Sequence, residues 1–420
     1  MGKLVENIII VLVLYLYIYS PPFKALPFNI SLLFTIPAII CIYKKKKIKY
    51  FFSIFKIEIL LFLLLCSYSF LLGIISLEFS FFFNNLIFLI QIIPVSIWIY
   101  YLIEQITTKK NTDFFKGLAS YLGIIAFIAA LISILGFVMP ELGLYFKYNL
   151  QKYDEFLWRY QEHRGFGIAD ELLFSFAIVQ GIILIIILYT SKNTLMNILY
   201  FILITFSIIL NARIGLISLA FLPFILFRGK SLVKYIIGAL LVFSIFYSTG
   251  LFNLIIENIR GPLEFASSFF IQTSNFLSGS KTNEFNTYDT LFGRMAVLPD
   301  TWYELIFGSG KNIFMDASKS TDVGYLLMLN FGGLIYMSIF ALLAFFIFYR
   351  LIKSNTIYPL ISYLIIFIFI FANIKGLFFA PKPGMKLIIL LYVSFILFKK
   401  QSLETDKNIP PNSEELIQFA

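Results

Sequence analysis

The chain has 420 residues, 60% of them hydrophobic and 13% charged, with a formal net charge of +10 and a mean hydropathy of +0.89. So little polar surface cannot clothe a water-soluble fold of this length, and the long apolar stretches lack the period-2 alternation of barrel strands, so an all-α polytopic membrane protein is expected. The basic residues sit at the ends of apolar stretches, not on an aromatic-interleaved patch, which excludes a nucleic-acid partner and makes the charge a topology signal.

In chain order, spans are expected at roughly 4–20, 25–43, 57–77, 84–104, 117–138, 169–190, 195–210, 214–227, 235–250, 322–349, 358–374 and 384–398, about twelve in all. Tyr, Pro and Phe crowd the end of the first, where a signal peptide needs small residues, so it is expected to be a retained helix. With the N-terminus inside, the inner connections receive Lys44 to Lys47, Lys109 with Lys110, Lys192, Arg228 with Lys230 and Lys234, Arg350 with Lys353, and Lys399 with Lys400. Every even-numbered connection is therefore basic, as the positive-inside rule requires. Residues 1–400 are expected to form one transmembrane helical domain, and 401–420, polar and containing Pro-Pro, a flexible cytoplasmic tail. Cys41 and Cys66 fall inside apolar spans with no disulfide or metal spacing, and no metal or other cofactor is expected.

Two long interruptions, 140–167 and 251–321, fall on the same extracytoplasmic side, and large loops gathered on one face suggest chemistry or recognition just outside the membrane. The first mixes Lys147, Lys152, Arg159 and Arg164 with Glu141, Asp154, Glu155 and Glu162, among many tyrosines and Trp158. Such a surface suits sugars; an interfacial helix whose aromatics form the headgroup belt explains the same residues. The connection between spans seven and eight contains Arg213 in NARIG. Its flanking spans are short, roughly 25 Å per leg at 1.5 Å per residue, so the hairpin apex is expected at or below the outer headgroup plane. A guanidinium there suits an anion such as phosphate, with snorkelling to lipid headgroups as the alternative. The last outer turn places Lys375, Lys382 and Lys386 on the side the positive-inside rule depletes. Attraction of an anionic lipid-linked substrate explains that exception, as does ordinary snorkelling.

The segment HRGFGIADELLFSFA at 163–177, the turn NARIGLISLAFLPFIL, and GRMAVLPDTWYELIFGSGKN followed by STDVGYLLMLNFGGLIYM together resemble O-antigen polymerases of the Wzy type. Asn211 stands where that family more often has Ser, and Asp322 stands where the related ligases present a His. The resemblance runs from about 163 to 337, on motifs whose order and outer-face position carry it. It implies glycosyl transfer outside a bacterial inner membrane: undecaprenyl-pyrophosphate-linked glycan as donor, a second lipid-linked repeat unit as acceptor, membrane lipids as surroundings, and a chain-length regulator as partner protein.

Such a transfer needs an acceptor hydroxyl made nucleophilic and a departing pyrophosphate whose charge is stabilised. Arg213, Arg164, Arg294, Arg159 and Lys382 are the candidate clamps; Glu171, Asp322 and the sole histidine, His163, are the candidate bases. Each has a plainer reading: helix-start charges for Asp170 and Glu171, an N-cap for Asp322, a loop hydrogen bond for His163 and a loop salt bridge for Arg294. A lipid-linked oligosaccharide flippase and an O-antigen ligase are the competing functions, the flippase requiring more charge within spans.

Overall fold

The computed structural model describes residues 2–44, 48–109, 113–150, 168–170, 174–191, 194–226, 295–315 and 321–407. Among these residues every regular element is a helix and none is a strand. Helices fall within the expected spans other than 235–250, which lies outside the described residues, but most are shorter than a membrane crossing. Four stretches are long and apolar enough to cross a membrane: Lys56–Ser76, Ser80–Thr108, Phe114–Val138 and Gly324–Ser354. Shorter apolar helices stand beside them.

Helix α1 is Gly2–Ile18; a 3-10 turn, Ile30–Phe34, leads into α2, Thr35–Lys44; α3 is Ile48–Ile54 and α4 Lys56–Ser76. Helix α5, Ser80–Ile87, runs through a π turn, Phe88–Ile92, into α6, Ile93–Lys109. The π turn has a local cause. Pro94 cannot donate to the carbonyl of Ile90 and its ring clashes there, so the helix widens just before it. Helix α7, Phe114–Val138, opens on Asp113, whose carboxylate accepts from the Phe115 amide, and α8, Pro140–Tyr145, starts the first loop. Then come α9, Ser175–Thr190, α10, Thr194–Asn211, and a 3-10 run, Arg213–Phe221, ending in α11, Leu222–Leu226. After the undescribed stretch, α12 is Trp302–Phe307, α13 Gly324–Ser354, α14 Pro359–Lys375 and α15 Pro383–Lys407.

Two helices form the centre. Every residue of α9 from Ser175 to Leu188 is buried, as is the stretch of α15 from Met385 to Leu397. Apart from Gln180 in the first, Lys386 in the second and a few serines, both are apolar on all sides, which is the pattern of a helix surrounded by others. The peripheral helices show the reverse of a soluble protein: α4 exposes Leu63, Leu64, Leu71 and Ile75, and α13 exposes Leu334, Leu342 and Phe345. Contiguous apolar surface of this kind is tolerated in lipid and not in water.

The basic clusters mark one end of the bundle, called inner here, where Lys44, Lys109 and Lys353 close their helices; the opposite end is the outer one. At the inner end Glu58 of α4, 1% exposed, meets Arg350 of α13 and the Tyr392 hydroxyl of α15. Burial makes this contact a clasp between three helices, since neither charge is stable there without the other. Nearer the outer end the buried Asn85 amide exchanges hydrogen bonds with Tyr336 and donates to Ser69, joining α4, α5 and α13. Packing thus encloses Glu58 and Lys386, both in the first turns of their helices, with Arg350 beside the first.

The described part of the second loop lies against the bundle. Ser309 and Gly310 amides donate to the carbonyls of Asn330 and Phe331, the Ser76 hydroxyl donates to Gly310, and the Glu78 carboxylate accepts from the Asn312 amide. Helix α13 makes room by kinking at Gly333, where φ is 61° and ψ is −164°. A side chain at Gly333 would sit 2.4 Å from the Ile306 carbonyl oxygen, so both backbone angle and space require glycine.

Candidate functional site

The last outer turn, 376–382, and the first turn of α15 carry three of the sequence's conspicuous lysines in or beside them, and the structure separates their roles. Asn373 at the end of α14 holds the turn, its side-chain oxygen accepting from the amides of Phe378 and Phe379. The Ser175 hydroxyl, at the start of α9, accepts from the Gly384 amide at 2.6 Å. That bond fixes the start of α15 against the start of α9. Lys386 follows two residues later and points into the protein, only 1% exposed. Its ammonium donates to the Ser20 hydroxyl and, at 3.1 Å, to the Ser31 hydroxyl, and it lies 6.0 Å from the centre of the Tyr17 ring.

Those hydroxyls are themselves held. Ser20 donates to the Tyr17 carbonyl at 2.6 Å; Ser31 donates to Asn29 at 2.8 Å and accepts from Gln91 at 2.7 Å. Among the described residues no carboxylate pairs with Lys386. Asp170 instead pairs with Lys382 at 3.4 Å, while its backbone amide donates to the Tyr19 carbonyl at 2.7 Å. The Tyr19 hydroxyl is buried and meets no hydrogen-bond partner among the described residues. A buried lysine solvated only by hydroxyl dipoles and an aromatic face favours an anion.

Three further segments converge on the start of α9. A side chain at Gly215, two residues after Arg213, would lie 2.6 Å from the Ala177 carbonyl oxygen, so the 3-10 run Arg213–Phe221 is in backbone contact with the first turn of α9. At Gly324, two residues after Asp322, a side chain would meet the Gly376 carbonyl at 2.3 Å. Gly376 in turn neighbours the Phe174 ring at 3.4 Å from its own missing side chain. The backbones of Arg213 and Asp322, the Asp170–Lys382 pair and Lys386 therefore surround one helix end at the outer side. In the sequence these residues are spread over more than two hundred positions, from Asp170 to Lys386.

Asp322 is not the N-cap. Helix α13 is preceded by Val323 without a side-chain cap, and the Thr321 hydroxyl, not Asp322, accepts from the Val323 amide while donating to the Met295 carbonyl. Asp322 stands one residue too early for the capping geometry, which leaves its carboxylate uncommitted to the helix. The hairpin around Arg213 also differs from two α-helical legs: the second leg begins as a 3-10 run of nine residues, long for that geometry. Asn211 at its apex is buried and donates to Ser133 and to the Ser207 carbonyl, each at 2.7 Å. The expected candidates His163, Arg164, Arg159, Glu171 and Arg294 lie outside the described residues.

The sequence marked Lys375, Lys382 and Lys386 alike and made only Lys382 a candidate clamp, and it passed over Ser20, Ser31, Gln91 and Tyr19. Lys386 had a signal, a cation near the outer end of an apolar span; the hydroxyls around it had none, because their meeting depends on how the end of α1, the 3-10 turn Ile30–Phe34, the π turn Phe88–Ile92 and α15 pack. No family model, curated protein or solved structure matches the chain.

Proposed function

We propose that this protein is a lipid-linked oligosaccharide polymerase of the Wzy type, acting on undecaprenyl-pyrophosphate-linked repeat units at the periplasmic face of a bacterial inner membrane. The observation that carries the reading is the buried Lys386, which among the described residues makes no ion pair and feels Asp170 only from beyond contact, at the outer bundle end with Lys382 and the segments of Arg213 and Asp322 nearby. A cation in apolar surroundings is costly unless an anion joins it, and the pyrophosphate of a membrane-anchored glycan reaches that depth.

In the reaction the acceptor sugar hydroxyl attacks the anomeric carbon of the donor. A new glycosidic bond forms, the bond from that carbon to the pyrophosphate oxygen breaks, and its electron pair leaves with the phosphate. The acceptor proton passes to a carboxylate or imidazole, with Glu171, Asp322 and His163 as candidates. Lys386, Lys382 and the arginines Arg213, Arg164, Arg294 and Arg159 offset the growing phosphate charge. Undecaprenyl pyrophosphate is released, and the donor's own pyrophosphate bond takes the place of a nucleotide sugar.

The surface polysaccharide of a deletion strain tests the proposal. A single repeat unit capping the lipid core is the expected result. Complete loss of the polysaccharide is the outcome for a flippase, and polymer stranded on undecaprenyl pyrophosphate is the outcome for a ligase; either overturns the polymerase.

A further inference from the structure

The described end of the second outer loop presents an exposed apolar face. Helix α12 is held by its own start: the Thr301 hydroxyl accepts from the Glu304 amide at 3.1 Å, and the Glu304 carboxylate accepts from the Asp300 amide at 3.2 Å. Trp302 and Ile306 lie one turn apart on that helix, and so do Tyr303 and Phe307, so these residues share one side. All are exposed, Trp302 by 81% and Tyr303 by 67%, and Leu298 and Phe314, before and after them in the chain, are exposed as well.

An apolar patch of this kind is a contact surface, and its fastenings fix how deep it lies. The Tyr68 hydroxyl of α4 donates to the Phe307 carbonyl at 2.7 Å. Ser76, at the outer end of the same helix, donates to Gly310 at 2.8 Å, and the Asn330 side chain of α13 donates to the Val297 carbonyl at 2.8 Å. Measured from the inner Glu58–Arg350 clasp, Ser76 on α4 and Gly333 on α13 each stand roughly 26 Å along their helices at 1.5 Å per residue, close to the thickness of a hydrocarbon core. Both helices thus put α12 at the outer boundary of the hydrocarbon. The lipid-facing surface reaches the same level, since α4 ends in the exposed Ile74, Ile75 and Leu77, and α13 exposes Leu334 beside the kink.

We infer that segment 298–314 is an interfacial anchor, lying in the plane of the outer leaflet with Trp302, Tyr303, Ile306 and Phe307 in the headgroup–acyl boundary. Trp and Tyr favour that layer, and a helix with one apolar face lies in it and not across it. Other occupants fit less well. A sugar would use the rings and leave Ile306 and Leu298 bare, and a partner protein would have to displace lipid from a surface continuous with α4 and α13. The anchor holds the end of the second loop at the level of the lipid headgroups. It stands on depth and on continuity with the lipid-facing surface, not on the polymerase reading.

The test leaves Trp302 as the sole indole, with Trp98→Phe and Trp158→Phe replacing the other tryptophans. The full chain is reconstituted in vesicles of phosphatidylethanolamine and phosphatidylglycerol whose acyl chains carry bromine either near the headgroup or near the methyl end. Shallow bromine should quench roughly half or more of the Trp302 emission, deep bromine clearly less and aqueous iodide little. Tyr303→Asp with Ile306→Asp should lift the segment, shifting the emission to the red and opening it to iodide; if that variant fails to insert, Tyr303→Ser with Ile306→Ser makes the same comparison with a smaller shift. Strong iodide quenching without a bromine effect makes 298–314 an aqueous loop and overturns the inference. Protection from iodide that appears only at high protein density makes the face a contact between copies, and likewise overturns it. Shallow quenching unchanged in the variants shows that the bundle, not the aromatic face, sets the depth, and removes the anchor. Fluorescence reads the anchor without any chain elongation, so a protein that polymerises nothing can still uphold it.

Discussion

Replacing Lys386 by methionine separates a ligand-binding cation from a structural one, because the two roles predict stability changes of opposite sign. Methionine keeps the length and most of the volume of the lysine stem and removes the ammonium. The hydroxyls left behind are not orphaned: Ser20 retains the Tyr17 carbonyl, and Ser31 retains Asn29 and Gln91. Enclosing a lysine in a span costs about 2.5–3.5 kcal/mol at a helix centre and less near an end, and Lys386 stands in the first turn of α15. Removing it should therefore stabilise the empty protein by about 1–2 kcal/mol. Phosphate stabilisation lost in the transition state amounts to about 2–4 kcal/mol, or about 30- to 1000-fold in rate. Thermal unfolding in detergent, set beside chain elongation in vesicles supplied with lipid-linked repeat units, reads both quantities. A Lys386→Met protein that unfolds at lower temperature yet elongates chains at the wild-type rate would falsify the ligand role and leave Lys386 as a strut.

Four further outcomes are expected. Arg213→Lys keeps the charge and loses the planar fork, so polymerisation should fall by about one to two orders of magnitude at normal abundance, measured by product length; undiminished activity would exclude bidentate binding. Asp322→Asn and Glu171→Gln should each preserve insertion, and the one at the base position should abolish long-chain product; since Asp322 does not cap α13, Asp322→Ala should leave the unfolding midpoint unchanged, and a loss of about 1 kcal/mol would restore the capping role. Gly333→Ala should destabilise by about 1–3 kcal/mol through the positive φ and the Ile306 carbonyl contact, seen as lower abundance and earlier melting. Arg350→Met strands the buried Glu58 and should cost about 3–5 kcal/mol, whereas pairing it with Glu58→Gln should recover most of the loss; a double variant no better than the single one would show that the clasp is not electrostatic.

The sequence by itself determined the class of structure and where the helices lie. Apolar runs of spanning length are local facts, and a backbone in an apolar setting satisfies its hydrogen bonds within a helix, so stretches such as 57–77 and 117–138 emerge within a few residues of α4 and α7. Basic residues at alternate span ends similarly ordered the inner and outer ends before any packing was known. What the sequence could not determine is which residues meet. Lys386 looked like its neighbours Lys375 and Lys382, and only the bond from Gly384 to Ser175 and the placing of Ser20 and Ser31 turned it inward. Asp322 had the right residue type for a cap and the wrong register by one position. The depth of α12 left no trace in its residues, because a face lined by tryptophan, tyrosine and isoleucine is written identically whether it meets lipid, a sugar or another helix. Periodicity records that a face is apolar; only tertiary structure decides what that face meets.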